Sequence, residues 1–165
     1  MPRPRIPRRI LLPPRYLTFK PMGVPRHLLQ QVILTVDEFE AIRLADHEGM
    51  DHLAAAARMG ISRPTFSRLI EAAHAKVAAC IIEGRELRIE GGDVDFVQSL
   101  QRCTDCGDEV VQEVEESAGT DSQENSCRVC GSGRVVDLSH VVLHGRRRGA
   151  ATSIGAQGRG RGRRA

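Results

Sequence analysis

A mainly α fold is predicted by three observations on this 165-residue chain. Helical patterning with start and stop signals runs from Thr35 to Gly84 and is broken at Gly60, in the spacing of a helix-turn-helix. Two Cys-x-x-Cys pairs follow, twenty residues apart, and point to a small β module built around a metal. Both ends are basic, the first rich in proline and the last in Arg, Gly and Ala with too little apolar content for a core, which predicts disordered termini. The predicted architecture is therefore a helix-turn-helix domain, then a small β zinc ribbon, with disordered basic termini. One Tyr, four Phe and no Trp leave little material for one large core, in keeping with small modules.

Residues 1–26 hold seven of the eight prolines and seven basic side chains with no acid. Proline lacks an N–H and restricts the residue before it, so no long helix forms here. Arg3, Arg5, Arg8 and Arg9 read as a cationic arm that enters a minor groove or tracks phosphates, and equally as an unstructured leader.

Residues 27–92 form the helical domain. Thr35 with Glu38 three residues on is a capping box, followed by apolar Phe39, Ile42 and Leu44 and ended by His47-Glu48-Gly49. A second helix is expected from Asp51 to Met59, with Gly60 in the turn. Ser62 caps the third, Pro64 sits in its first turn, and Gly84 stops it. Phe66, Leu69, Ile70, Ala73, Val77 and Ile81 make one apolar stripe. Leu87-Arg88-Ile89 alternates like a short strand, and Gly91-Gly92 is the expected boundary.

With that stripe inward, 100° per residue leaves Arg63, Thr65, Ser67 and Arg68 on the outward N-terminal part of the third helix. Arg can bond a guanine edge with both arms, Ser and Thr can contact bases or phosphates, and a helix N-terminus favours an anion. From Arg58 to Lys76 four basic residues face one acid, Glu71, which fits a rim position. A helical hairpin that binds only protein is the competing reading of the same spacing, and the cationic face argues against it.

Residues 96–144 carry Cys103-Thr-Asp-Cys106-Gly107 and Cys127-Arg-Val-Cys130-Gly131, two near-identical knuckles. Four thiolates with no open position describe a structural site. Zinc is the preferred ion, and iron is the other metal that four thiolates hold. A thioredoxin-like redox role needs a βαβ context, which is missing. Cys80 reads as a small buried apolar residue, and His140 and His144 are left out of a set that four sulfurs already complete. Val110-Val111, Val135-Val136 and His140 to Leu143 read as β-like runs, joined by an acidic loop over 115–125. Residues 145–165 are mostly Arg, Gly and Ala.

Several stretches together resemble a known family: Arg3-Pro4-Arg5, residues 19–25 (FKPMGVP), 34–46 (LTVDEFEAIRLAD), 59–66 (MGISRPTF) and 87–92 (LRIEGG). Residues 2 to 92 are similar to the prokaryotic domain of unknown function 134, a family of predicted DNA-binding proteins. Its helical part resembles region 4 of sigma-70 factors, which implies DNA binding by the helix-turn-helix. It does not imply a sigma factor, since no promoter-melting region precedes it. Where the family's first motif helix is polar and acidic, this chain has Leu53-Ala54-Ala55-Ala56-Ala57.

Charge separates the modules. Residues 1–26 carry +7, 27–95 carry −5, 96–144 carry −6 and 145–165 carry +7, within a net +3. Basic ends read as tails for a polyanion, and Gly158 to Arg164 adds salt-sensitive phosphate contacts. Four thiolates on a divalent ion take the ribbon further negative, so it is expected to stabilise the chain or contact protein.

The expected function is a cytoplasmic, sequence-specific binder of double-stranded DNA, a transcriptional regulator. The alternative is a zinc-ribbon adaptor to the transcription machinery, for example RNA polymerase, with DNA contact secondary. A sensory role for the cysteines predicts that chelation changes DNA affinity beyond unfolding the ribbon. No enzyme, small-molecule substrate or membrane span is expected: there is no nucleophile–base pair or phosphate loop, and the apolar runs are too short. The basic N-terminus lacks an apolar core long enough for a secretory leader, and five cysteines without a leader suit a reducing compartment. Many helix-turn-helix proteins pair on two half-sites, so an oligomer is compatible.

Overall fold

The computed structural model describes residues 7–114 and 126–144. Arg3, Arg5, the acidic loop over 115–125 and the basic tail lie outside the described residues. The fold is mixed α/β and not mainly α: 40% of the described residues are helical and 24% lie in strands, in three small sheets. The reason is physical. Helices announce themselves through local period and caps, whereas these strands are two to six residues long and, the β6–β7 hairpin apart, pair with partners distant in sequence.

The first strand, β1 (Arg8–Ile10), pairs in parallel with β5 (Val94–Phe96). The next, β2 (Thr18–Phe19), is antiparallel to β4 (Glu86–Ile89), and β3 (Gln31–Leu34) lies parallel on the other edge of β4. Between β3 and β4 run the helices α1 (Val36–Ile42), α2 (His52–Met59) and α3 (Arg63–Glu83), a helical insert crossing over a parallel pair. The third sheet is β6 (Gln98–Cys103), flanked antiparallel by β7 (Glu109–Glu113) and β8 (Val135–Asp137). A last helix, α4 (Leu138–His144), occupies the stretch expected as a β-like run at His140 to Leu143. There the Asp137 side chain accepts from the Ser139 N–H (2.8 Å) to start a helix, and Val142 is buried in the main core. Burial overrides the β-propensity of valine.

The caps form as the residue types dictate. Thr35 and Glu38 make the reciprocal capping box of α1, and Asp51 accepts from the N–H groups of Leu53 and Ala54 (2.8 and 2.9 Å). Gly60 and Gly84 close α2 and α3 in the left-handed region, φ 69° and 66°. After Ile42 the chain widens into a π turn over Arg43–His47, with Glu48 N–H donating to the Arg43 carbonyl (2.9 Å).

One cluster of Ile10, Leu34, Val36, Leu44, Met59, Phe66, Ile70 and Ile89 joins the first two sheets to α1, α2 and α3. Val142 of α4 joins it too, so the cysteine-bearing module shares that core. Four buried carboxylates stitch the periphery. Asp37 meets Arg8, Glu38 meets Lys76 (2.6 Å), Glu40 meets Arg43 (2.7 Å) and Glu86 meets Arg26 (2.7 Å). Buried charges persist only when paired in this way.

Candidate nucleic-acid interface and metal centre

Helices α2 and α3 meet at the Gly60 turn. Ala56 is buried where they cross, and the Ile61 N–H donates to its carbonyl (3.0 Å). The inward stripe of α3 buries Phe66, Ile70 and Ala73, partly covers Leu69 and Val77, and leaves Ile81 77% exposed. Ser62 caps α3 with a bond from the Thr65 N–H (3.4 Å), and no acid lies in its first turn.

The four predicted contact residues of α3 divide into two pairs. Arg63 and Arg68 are exposed, and neither makes an ion pair with a described residue. Thr65 and Ser67 are half-buried and engaged: Thr65 Oγ1 shares a hydrogen bond with Ser62 Oγ (2.8 Å), and Ser67 Oγ with His52 Nδ1 (3.0 Å). His52 also packs edge-on against Phe66, ring centres 5.3 Å apart. Sequence reasoning missed this His52 clamp. Its only signal is a histidine at the start of α2, and which residue of α3 it meets depends on the helix crossing.

The unpaired cations stand out against the rest. Among the described residues, the lysines and arginines without an ion pair are Arg9, Lys20, Arg63 and Arg68. Arg8, read as an arm residue, lies in β1 and pairs with Asp37, so its charge is already engaged. Arg9 is exposed on the same strand. Nearby, Arg43 is held more firmly protonated than usual by its hydrogen bond to Glu40, despite partial burial.

The metal candidates converge. Sγ atoms of Cys103, Cys106, Cys127 and Cys130 all lie within 4.8 Å of one another. Cys103 and Cys130 sulfurs are 3.6 Å apart, and those of Cys106 and Cys127 are 3.5 Å apart. A disulfide needs about 2 Å. Four sulfurs about 2.3 Å from a central ion stand about 3.8 Å apart, so the spacing fits one tetrahedral ion. The two knuckles share the same pair of backbone hydrogen bonds. Gly107 N–H donates to the Cys103 carbonyl (3.1 Å) and Gly131 N–H to that of Cys127 (2.7 Å). Cys103 N–H reaches the Asp108 carbonyl (2.9 Å) and Cys127 N–H that of Ser132 (2.8 Å). Both glycines have φ above +70°, which a side chain would strain.

Backbone N–H groups, first of Cys106 and then of Asp105, draw the Cys103 thiol down to about 7. At Cys106 the Asp108 N–H acts in the same sense, but burial and the three neighbouring thiols prevail and push it up to about 12. One thiolate forms readily and discourages the next, so a cation that neutralises the cluster is what lets all four ionise.

The family model described as "Protein of unknown function DUF134" matches residues 1–97. The chain belongs to this family. The DUF134 match ends one residue beyond β5, the strand that closes on β1, so the matched segment contains both partners. Similar proteins include a "UPF0251 protein" of Chloroherpeton thalassium, 49% identical over 90% of this chain and 96% of its own length. One from Moorella thermoacetica is 42% identical over 88% of this chain and 96% of its own. Another, from Thermoanaerobacter sp., is 46% identical over 62% of this chain but 90% of its own length, so relatives of this DUF134 chain include shorter proteins. No solved structure matches it. None of the helices in the described residues is long and apolar enough to cross a membrane.

Proposed function

We propose that this DUF134 chain is a sequence-specific binder of double-stranded DNA, a transcriptional regulator that lays the N-terminal turns of α3 in the major groove. The observation carrying this reading is the pair Arg63 and Arg68: exposed, without ion pairs among the described residues, and on the outer face of a capped helix-turn-helix. Most other described cations are bound to carboxylates, so their charge is spent within the fold. Arg63 and Arg68 supply the contacts, with the helix N-terminus for phosphate. Thr65 and Ser67 set the pose of the helix. Arg9, with Arg3 and Arg5, adds backbone contacts that give affinity without sequence information.

The four-cysteine site is assigned to structural zinc. Zinc would hold Cys103, Cys106, Cys127 and Cys130 as thiolates and lock the β6–β7–β8 sheet, with no catalytic position left open. Protein contact is the second reading for this module. Val129, at the tip of the second knuckle, is 68% exposed, and the segment is acidic.

Selection of bound oligonucleotides from a random pool at two salt concentrations tests the DNA reading. An enriched motif is expected, and its symmetry reports the number of chains bound. No enrichment at either salt overturns the proposal. Arg68→Ala is expected to cost about 1–3 kcal/mol of discrimination between enriched and random DNA. Equal losses on both would make Arg68 a phosphate contact.

A further inference from the structure

The sheet β2–β4–β3 and the helices α1 and α3 do not close fully on one another. Between them lies a groove of about 650 Å³, walled by Leu34 and Leu87 from the sheet, Phe39 and Ile42 from α1, and Val77 from α3. That volume falls in the range of small-molecule sites, and the walls are apolar as such sites are. Its charged lining residues are Lys20 and Arg85, both cations, and no acid lines it. Neither cation is saturated. Lys20 Nζ gives one bond to the Val24 carbonyl (2.9 Å) and has two further protons. Arg85 pairs with the half-exposed Glu83, a weak surface pair, while its Nε is buried without an acceptor. An apolar trough lined by two cations and no carboxylate is complementary to a molecule with an alkyl body and an anionic head.

We propose that this groove binds an amphipathic carboxylate with an extended alkyl chain, taken up as the free monomeric acid. The alkyl chain displaces water from the trough, and the carboxylate accepts from Lys20 and from an Arg85 turned away from Glu83. The site is independent of the DNA reading, since it lies at the other end of α3 from Arg63 and Arg68.

The test is calorimetric titration of the full-length, metal-loaded protein with dodecanoate below its micelle concentration. One acid per chain is expected, with dodecanol at least tenfold weaker. The double substitution Lys20→Gln with Arg85→Gln is expected to weaken dodecanoate at least tenfold. Val77→Trp, which fills the trough, is expected to abolish binding, with the far-ultraviolet spectrum of each variant as the fold control. Cys80 lines the groove, so dodecanoate is also expected to slow its alkylation. Equal affinity for acid and alcohol overturns the proposal, as does unchanged binding in the folded double variant or binding only to anionic phospholipid vesicles. So does protection of Cys80 by self-association without acid, seen by sedimentation, which would assign the groove to a second copy.

Discussion

Ser67 and Arg68 are neighbours in sequence with different tasks. Ser67 closes the α2–α3 corner through His52, and Arg68 faces outward with its charge unspent. Ser67→Ala is therefore expected to cost about 1 kcal/mol of stability in denaturant titration, the worth of one hydrogen bond. Its effect on DNA affinity should track that destabilisation. Glu40 is buried and takes both arms of Arg43 at 2.7 Å, as well as the Leu11 N–H (3.3 Å). Glu40→Ala leaves Arg43 with Glu48 alone and the Leu11 N–H without its acceptor, and is expected to cost about 1–3 kcal/mol, measured by the same titration. The acid run Asp37-Glu38-x-Glu40 gives no hint of burial in sequence, because its neutralising partners Arg8, Lys76 and Arg43 come from three segments.

At the scale of elements, caps and turns carry the local decisions. Gly60 at φ 69° lets α2 turn into α3, and Gly60→Ala is expected to lower stability by about 1–2 kcal/mol, the cost of a left-handed alanine. Asp51, the cap of α2, has its carboxyl held below the ordinary 3.8 by the N–H groups of Ala54 and then Leu53. A depressed folded value means stability that is present above the ordinary value and lost as pH falls through the folded one. Asp51→Asn keeps an acceptor but cannot titrate, so stability of the variant should fall less steeply below pH 3.8. The starts and stops of α1, α2 and α3 were legible because each is written within four residues. Three strands were not: β2 is two residues long, β3 hides in the apolar lead-in to Thr35, and β1 sits in proline-rich chain. None has a period to detect, and each exists because β4 or β5 supplies its ladder.

The whole molecule is tied across its modules. After the β1–β5 pair, the Val97 and Gln98 N–H groups continue onto the Ile10 and Leu11 carbonyls (2.8 and 3.0 Å). Arg15 reaches Glu109 (3.3 Å), and Arg102 stacks over Tyr16, 5.0 Å from the ring centre. Cutting the chain after Gly92 would strip β5 from β1 and Val142 from the core, so residues 1–92 are expected to melt lower than the full chain. Metal removal is the cleaner separation. Chelation, or Cys106→Ser, should release one metal ion per chain and expose the amides of β6, β7 and β8 to hydrogen exchange while those of α3 stay protected. Loss of protection throughout would show that the metal supports the entire fold. Acid should release the metal as well, since protons compete for each thiolate.

The spacing of the cysteines, the Thr35 and Ser62 caps and the outward place of Arg63 and Arg68 were legible in sequence alone, because each depends on residues a few positions apart or on one repeated turn. The closure of β1 on β5, the helical state of residues 138–144, the engagement of Ser67 and Arg8, and the groove beneath α1 were decided only in three dimensions. Most of those features join residues well apart in the chain, and a linear pattern carries no record of which distant partner will satisfy a buried charge or a bare strand edge.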